Sequence, residues 1–106
     1  MQTPSISLCM IVKNEANFIE ACLQSVKDFV DEMIVVDTGS TDQTVQICEN
    51  LNAAVYHYQW NHHFADARNF GLSKAKGDWI LWLDADETFD SSQQQLVKDT
   101  LSRTEA

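Results

Sequence analysis

Two aspartates set two residues apart, Asp84 and Asp86, close the most apolar stretch of the chain. That stretch is Asp78-Trp79-Ile80-Leu81-Trp82-Leu83-Asp84-Ala85-Asp86-Glu87, in which five apolar residues run unbroken into three acids. A continuous apolar run of this length predicts a strand buried on both faces. In extended backbone, residues i and i+2 point to the same side. Asp84 and Asp86 would then reach one spot at the mouth of a sheet, where open α/β folds bind ligands. Hard divalent cations such as magnesium (Mg2+) or manganese (Mn2+) take oxygen ligands of this kind. The plainer alternative is a solvated turn, with Asp90 and Ser91 starting a helix.

A second constellation is Asp37-Thr38-Gly39-Ser40-Thr41-Asp42, again at the end of an apolar run. A carboxylate there can accept hydrogen bonds from a base or a ribose. Gly39 permits close backbone approach, and the helix start that follows favours negative charge nearby. An ordinary capped turn accounts for the same residues. Lys13, Asn14 and Glu15 end the first apolar run on the same expected edge, where Lys13 could meet a phosphate. Arg68 suits a phosphate or base contact, against a surface ion pair with Asp66. His57, His62 and His63 lack the Cys or acidic companions of a metal site, and with Trp60 and Phe64 they read as a partly packed loop.

The elements that would position these residues alternate. Ile6 to Val12 reads as a first strand. From Asn17 to Asp28, Ile19, Cys22, Leu23 and Val26 fall at i, i+3, i+4 and i+7, one face of a helix. Met33 to Val36 is a second strand closed by Asp37. Ser40 with Gln43 fits a capping box for a helix carrying Val45, Cys48 and Leu51 inward. Ala54 to Tyr58 is a third strand. Ala65 to Lys76 is a helix with Gly77 as its stop. After the acidic strand, Ser91 or Ser92 caps a last helix bearing Leu96, Val97 and Leu101. Met1 to Pro4 is a lead-in. Such alternation predicts a largely parallel sheet with helices on both faces.

The chain has 106 residues and suits one domain. Sixteen acids against seven bases leave a formal charge of −9. Nucleic acid and anionic membranes are poor partners for that surface, because their phosphates need Lys and Arg. A phosphorylated ligand stays possible if a metal ion screens the repulsion. Cys9, Cys22 and Cys48 each sit among apolar residues and form no Cys-x-x-Cys pair, so buried free thiols in a reducing compartment are expected. No leader, sequon or membrane-length run is visible, which points to the cytoplasm.

Several segments, in order, resemble the family 2 glycosyltransferases of the GT-A fold. They are Ile6 to Glu15, Val35-Val36-Asp37-Thr38-Gly39-Ser40-Thr41-Asp42, Ala67-Arg68-Asn69-Phe70-Gly71 and Trp79 to Asp86. The resemblance runs roughly from Ser5 to Phe89. It implies a three-layer α/β/α, Rossmann-like GT-A half with a mostly parallel sheet of about four strands. It also implies that residues 1–106 form one domain binding a nucleotide diphosphate sugar, UDP- or GDP-linked. By that resemblance Lys13, Asn14, Glu15, Asp37, Thr38, Gly39, Arg68, Asp84 and Ala85 would bind the donor. Asp86, with Asp84, would hold a magnesium or manganese ion.

Two departures bear on these expectations. Many family members have two consecutive acids where this chain has Asp37-Thr38, which affects base selectivity. The family's acceptor half and catalytic base lie beyond the Asp-x-Asp segment, where this chain has only residues 87–106. The base is therefore expected outside this chain, and the chain alone is expected to be weakly active or inactive. Rival readings are fewer and weaker. Leu83 to Thr88 also fits the Asp-x-Asp-x-Thr pattern of haloacid-dehalogenase-type phosphatases, with Asp84 as nucleophile, but those place the pattern at their first strand. A sugar nucleotidyltransferase would want a Gly-rich loop where Lys13-Asn14-Glu15 stands. A non-catalytic interaction module keeping the same fold is the third alternative.

Overall fold

The structure, a computed structural model, describes residues 4–103, with side chains through residue 100. The side chain of Leu101, expected to face inward, and the first three residues of the lead-in lie outside what is described. Four strands and four helices alternate: β1 (Ile6–Val12), α1 (Ile19–Val26), β2 (Glu32–Asp37), α2 (Thr44–Asn50), β3 (Ala54–His57), α3 (Phe64–Lys74), β4 (Trp79–Trp82) and α4 (Ser91–Arg103). All strands are parallel, in the order β3-β2-β1-β4. The α/β class and the four-strand sheet agree with the sequence reading.

The topology follows from handedness. Stepping from β1 to β2 to β3 moves one way across the sheet, while β4 lies on the far side of β1. Right-handed crossovers then require α3 to return over the opposite face from α1 and α2. The packing obeys this. Leu8, Met10, Val12, Met33 and Val35 form one core with Ile19, Cys22, Leu23 and Val26 of α1 and Cys48 of α2. Alternate residues point the other way, and there Val36 meets Gly71 of α3, where an added Cβ would lie 3.1 Å from the Val36 Cγ2. The four apolar residues read as one face of α1 are all fully buried.

The apolar run that suggested a doubly buried strand forms β4, and β4 is an edge strand of the described sheet. Trp79 is 42% exposed, and Ile80, Leu81 and Trp82 are half-buried. Strand position depends on pairing with distant segments, which local hydrophobicity does not encode. The central place belongs to β1, whose Leu8, Cys9 and Met10 are completely buried.

Helix ends also differ from the capping patterns read in the sequence. The Thr44 N–H and hydroxyl both donate to the Asp42 Oδ1, the N–H at 2.9 Å, so Asp42 starts α2 rather than Ser40 with Gln43. The α4 start is reciprocal: the Gln93 N–H donates to the Asp90 Oδ1 at 2.9 Å, and the Asp90 N–H to the Gln93 Oε1 at 2.9 Å. Asp90, not Ser91 or Ser92, is the cap. Those bonds hold the Asp42 and Asp90 carboxyls below the usual carboxylate range, through the Thr44 hydroxyl first at Asp42 and the Gln93 N–H first at Asp90. The third helix ends earlier than read, because Ala75 is already extended. Gly77 does not stop it; Gly77 lies against β1, its N–H donating to the Ser7 Oγ at 2.8 Å.

Gly77 belongs to a polar knot at the N-terminal edge of the sheet. The Glu32 Oε2 accepts from the Ser7 hydroxyl and from the Lys76 N–H at 2.6 Å. Burial pushes the Glu32 carboxyl up, but the Lys76 N–H, the Ser7 hydroxyl, the Lys76 charge and the Gly77 N–H together bring it below the usual range. A carboxyl lowered in the folded state stabilises above its unfolded value and loses that contribution as pH falls through the folded one. Melting temperature against pH is therefore expected to fall more steeply below about pH 4 in the parent than in Glu32→Gln. Equal slopes would remove Glu32 from the acid response.

The three cysteines are free and buried. Burial, then nearby carboxylates, pushes Cys9 and Cys22 up to about 11; burial and then Asp37 lead the causes that push Cys48 up to about 12. Such thiols are poor nucleophiles at neutral pH. Among the described residues no helix is long and apolar enough to cross a membrane.

Candidate functional site

The strand order reverses between β1 and β4, so the crevice outside their C-terminal ends is the topological switch point of this sheet. Ligands of open α/β sheets bind at such a point. Lys13, Asn14 and Glu15 follow β1, Thr38 and Gly39 follow β2, and Asp84 follows β4. These expected site residues therefore gather on one edge of the molecule.

The loops after β1 and β2 are laced together. Asn14, with φ of 55°, donates its N–H to the Ser40 Oγ at 2.9 Å and accepts from the Thr41 N–H at 2.7 Å. The Glu15 N–H donates to the Thr44 Oγ1 at 2.8 Å, and the Ala16 N–H to the Asp42 Oδ2 at 3.2 Å. The Thr38 N–H and hydroxyl both donate to the Val12 carbonyl, at 3.0 and 3.1 Å. Asn14 and Thr38 thus shape the edge through bonds already made within it. Lys13 is exposed there.

Asp37 is the anomaly of this edge. It ends β2 at 3% exposure. Its Oδ2 accepts from the Gly39 and Ser40 N–H groups, each at 3.2 Å, and lies 3.6 Å from the His57 Nδ1. Its Oδ1 is buried with no hydrogen-bond partner. Buried polar atoms are nearly always satisfied, so this oxygen stands out on the edge. His57 was not among the candidate site residues of the sequence. Its only signal there is the place it takes as last residue of β3, opposite Asp37 in the ladder.

Arg68 sits on α3 with its guanidinium carbon 4.7 Å from the centroid of the Trp82 ring. It makes no ion pair with Asp66, which instead accepts from the Asn61 amide at 3.1 Å. The stack places Arg68 at the end of β4, two residues before Asp84. The acids themselves are not delivered by strand pleat. Extended pairing stops at Trp82, and Asp84 to Glu87 form a turn in which the Glu87 N–H donates to the Asp84 carbonyl at 2.9 Å and the Asp84 N–H to the Glu87 Oε1 at 2.8 Å. A run of acids needs solvent, and the chain turns as soon as the apolar residues end. Ala85 is buried in the core, so Asp84 and Asp86 on either side of it are both exposed. Among the described residues no three His, Cys, Asp or Glu side chains are gathered to hold a metal ion.

These features define the class: a Rossmann-like α/β/α domain whose ligand edge lies at the switch point of a parallel sheet. The chain belongs to glycosyl transferase family 2, whose model matches residues 7–105. An uncharacterised glycosyltransferase of Rickettsia bellii is 43% identical over 91% of this chain and 32% of its own length. A TPR repeat-containing protein of Synechococcus elongatus is 54% identical over 77% of this chain and 20% of its own. The chain therefore spans a third or less of these curated relatives. Among solved structures, Mycobacterium tuberculosis glucosyl-3-phosphoglycerate synthase in complex with uridine diphosphate superposes with a TM-score of 0.70, at 27% identity over 79% of this chain and 34% of that one. The same synthase has been crystallised with manganese and uridine diphosphate-glucose. Staphylococcus aureus TarS gives a TM-score of 0.72, at 27% identity over 92% of this chain and 31% of that one. The architecture is thus that of the GT-A glycosyltransferases.

Proposed function

We propose that this chain is the donor-binding part of a glycosyltransferase, taking a uridine diphosphate sugar together with a divalent metal ion. The observation that carries this is the bare Oδ1 of Asp37, a buried acceptor on the ligand edge. Because Oδ2 already accepts two N–H groups, one oxygen remains. A single acceptor matches the one imide N–H of uracil better than the two adjacent donors of guanine. The solved relatives with uridine diphosphate support the same choice over guanosine.

On this reading Asp37 holds the nucleoside, and the Thr38-Gly39 turn lets the backbone approach it. Lys13, with Asn14 and Glu15 shaping its loop, faces the diphosphate. Arg68, held over the Trp82 ring, offers its forked N–H groups to phosphate or base. Asp84 and the main chain at Ala85, whose side chain lies in the core, border the ribose, and Asp86 with Asp84 supplies hard oxygen ligands for magnesium or manganese. Two exposed carboxylates would need further oxygen ligands, such as those of the diphosphate, to complete the shell of that ion. A bound ion would offset the negative charge on the departing diphosphate. The catalytic base and the acceptor site are assigned to the remainder of a longer protein.

Calorimetric titration with uridine diphosphate tests the proposal. Affinity is expected to rise about tenfold or more on adding manganese or magnesium, a gain of about 1.4 kcal/mol. In Asp86→Asn the metal is expected to make no difference. Folded protein that binds no nucleotide in either condition would replace this reading with the non-catalytic module.

A further inference from the structure

Asp37 is held by His57 as well as by its own loop, and nothing in the donor-binding scheme uses that histidine. β2 and β3 pair in parallel with Asp37 opposite His57, and the ladder continues as the Tyr58 N–H donates to the Asp37 carbonyl at 2.9 Å. The His57 Nδ1 lies 3.6 Å from the same Oδ2 that accepts the Gly39 and Ser40 N–H groups. The imidazole is 72% exposed, while the carboxylate is 4% exposed. One side of Asp37 is thus fastened three times, and the other is bare.

We infer that His57 is a positioning residue for the donor: its imidazole braces Oδ2 and keeps Oδ1 aimed at the nucleoside. The inference rests on the donor-binding reading of Asp37. Without the His57 imidazole beside Oδ2, the carboxylate gains freedom to turn, and donor affinity falls. Elements packed on β3 offer few competing groups. Asp37 comes from β2, and Cys48 and Glu49 come from α2. The Cys48 thiol, pushed up to about 12, keeps its proton. On α3, Lys74 stacks over Tyr56, which by alternation lies on the other face of the strand.

The experiment compares the dissociation constant of uridine diphosphate with manganese for the parent, His57→Ala and His57→Lys at one pH. His57→Ala is expected to bind about three- to fivefold more weakly than the parent, the scale of a half-exposed pair. His57→Lys, which keeps a donor beside Oδ2, is expected to restore binding to within about twofold of the parent. Because His57 is exposed, melting curves should show both variants folded. A parent that binds no more tightly than His57→Ala would overturn this inference alone. Failure of all three proteins to bind uridine diphosphate would overturn the donor-binding reading and this inference with it.

Discussion

Asp37→Asn is expected to weaken uridine diphosphate binding by roughly 100-fold, about 2.7 kcal/mol, while leaving the protein folded. The reason is inversion of one group. The amide oxygen can still accept from the Gly39 and Ser40 N–H groups, which hold it on the Oδ2 side. The amide nitrogen then occupies the position of the bare Oδ1, and a donor faces the donor of the nucleoside. A buried site with an unpaired polar atom discriminates strongly in this way. The fold should tolerate the change because Oδ1 has no protein partner to lose. Removing a buried charge offsets the lost pairing with His57, so melting is expected within a few degrees of the parent. Titration calorimetry and thermal melting together decide it. Unchanged affinity would take Asp37 out of the site, and a collapse of the fold would make it a structural residue.

The second large effect is on stability. Gly77→Ala is expected to cost about 3 kcal/mol, lowering the melting temperature by roughly 12 °C or more. An added Cβ would stand 2.5 Å from the Ser7 Oγ, 2.8 Å from the Ser7 N and 3.1 Å from the Ile6 carbonyl carbon. Two of these are backbone atoms of the most buried strand and cannot yield. The same clash breaks the Gly77 N–H bond to Ser7 and separates β4 from β1 at its first residue. At Gly71 the nearest obstacle is a methyl of Val36 at 3.1 Å, a side-chain atom that can shift. Gly71→Ala should therefore melt above Gly77→Ala, and the reverse order would mean that β1 yields where its packing says it cannot.

Gly77 also shows where sequence reading stops. Glycine after a lysine-bearing helix reads as a helix stop, and only the path of β1 reveals a close approach instead. The same limit applies to β4. Its composition announces a strand, but whether that strand lies at the centre or the edge depends on β1 and β2 pairing first. Where structure is local, the reading held. The four-residue stripe of α1 and the alternation of strands and helices follow from periodicity, and both are present. Caps were less legible, since Ser40, Asp42, Asp90 and Ser91 are all competent caps and the choice depends on loops arriving from elsewhere. Asp37, Gly39 and Asp84 could be placed on one edge because every parallel strand ends there. His57 could not, because the reading put it in the third strand without revealing that its ladder partner is Asp37.

The cross-bonding of Asn14, Glu15 and Ala16 to Ser40, Thr41, Asp42 and Thr44 has a thermodynamic consequence. Loops that order only on binding lose conformational entropy at that moment and lower affinity accordingly. Here the loops after β1 and β2 are already cross-bonded, so a nucleotide bound there as proposed would meet them already ordered. Nucleotide capture should then show association rates insensitive to loop closure. Its heat-capacity change should be small, set by the ligand's own buried surface rather than by folding of the protein around it.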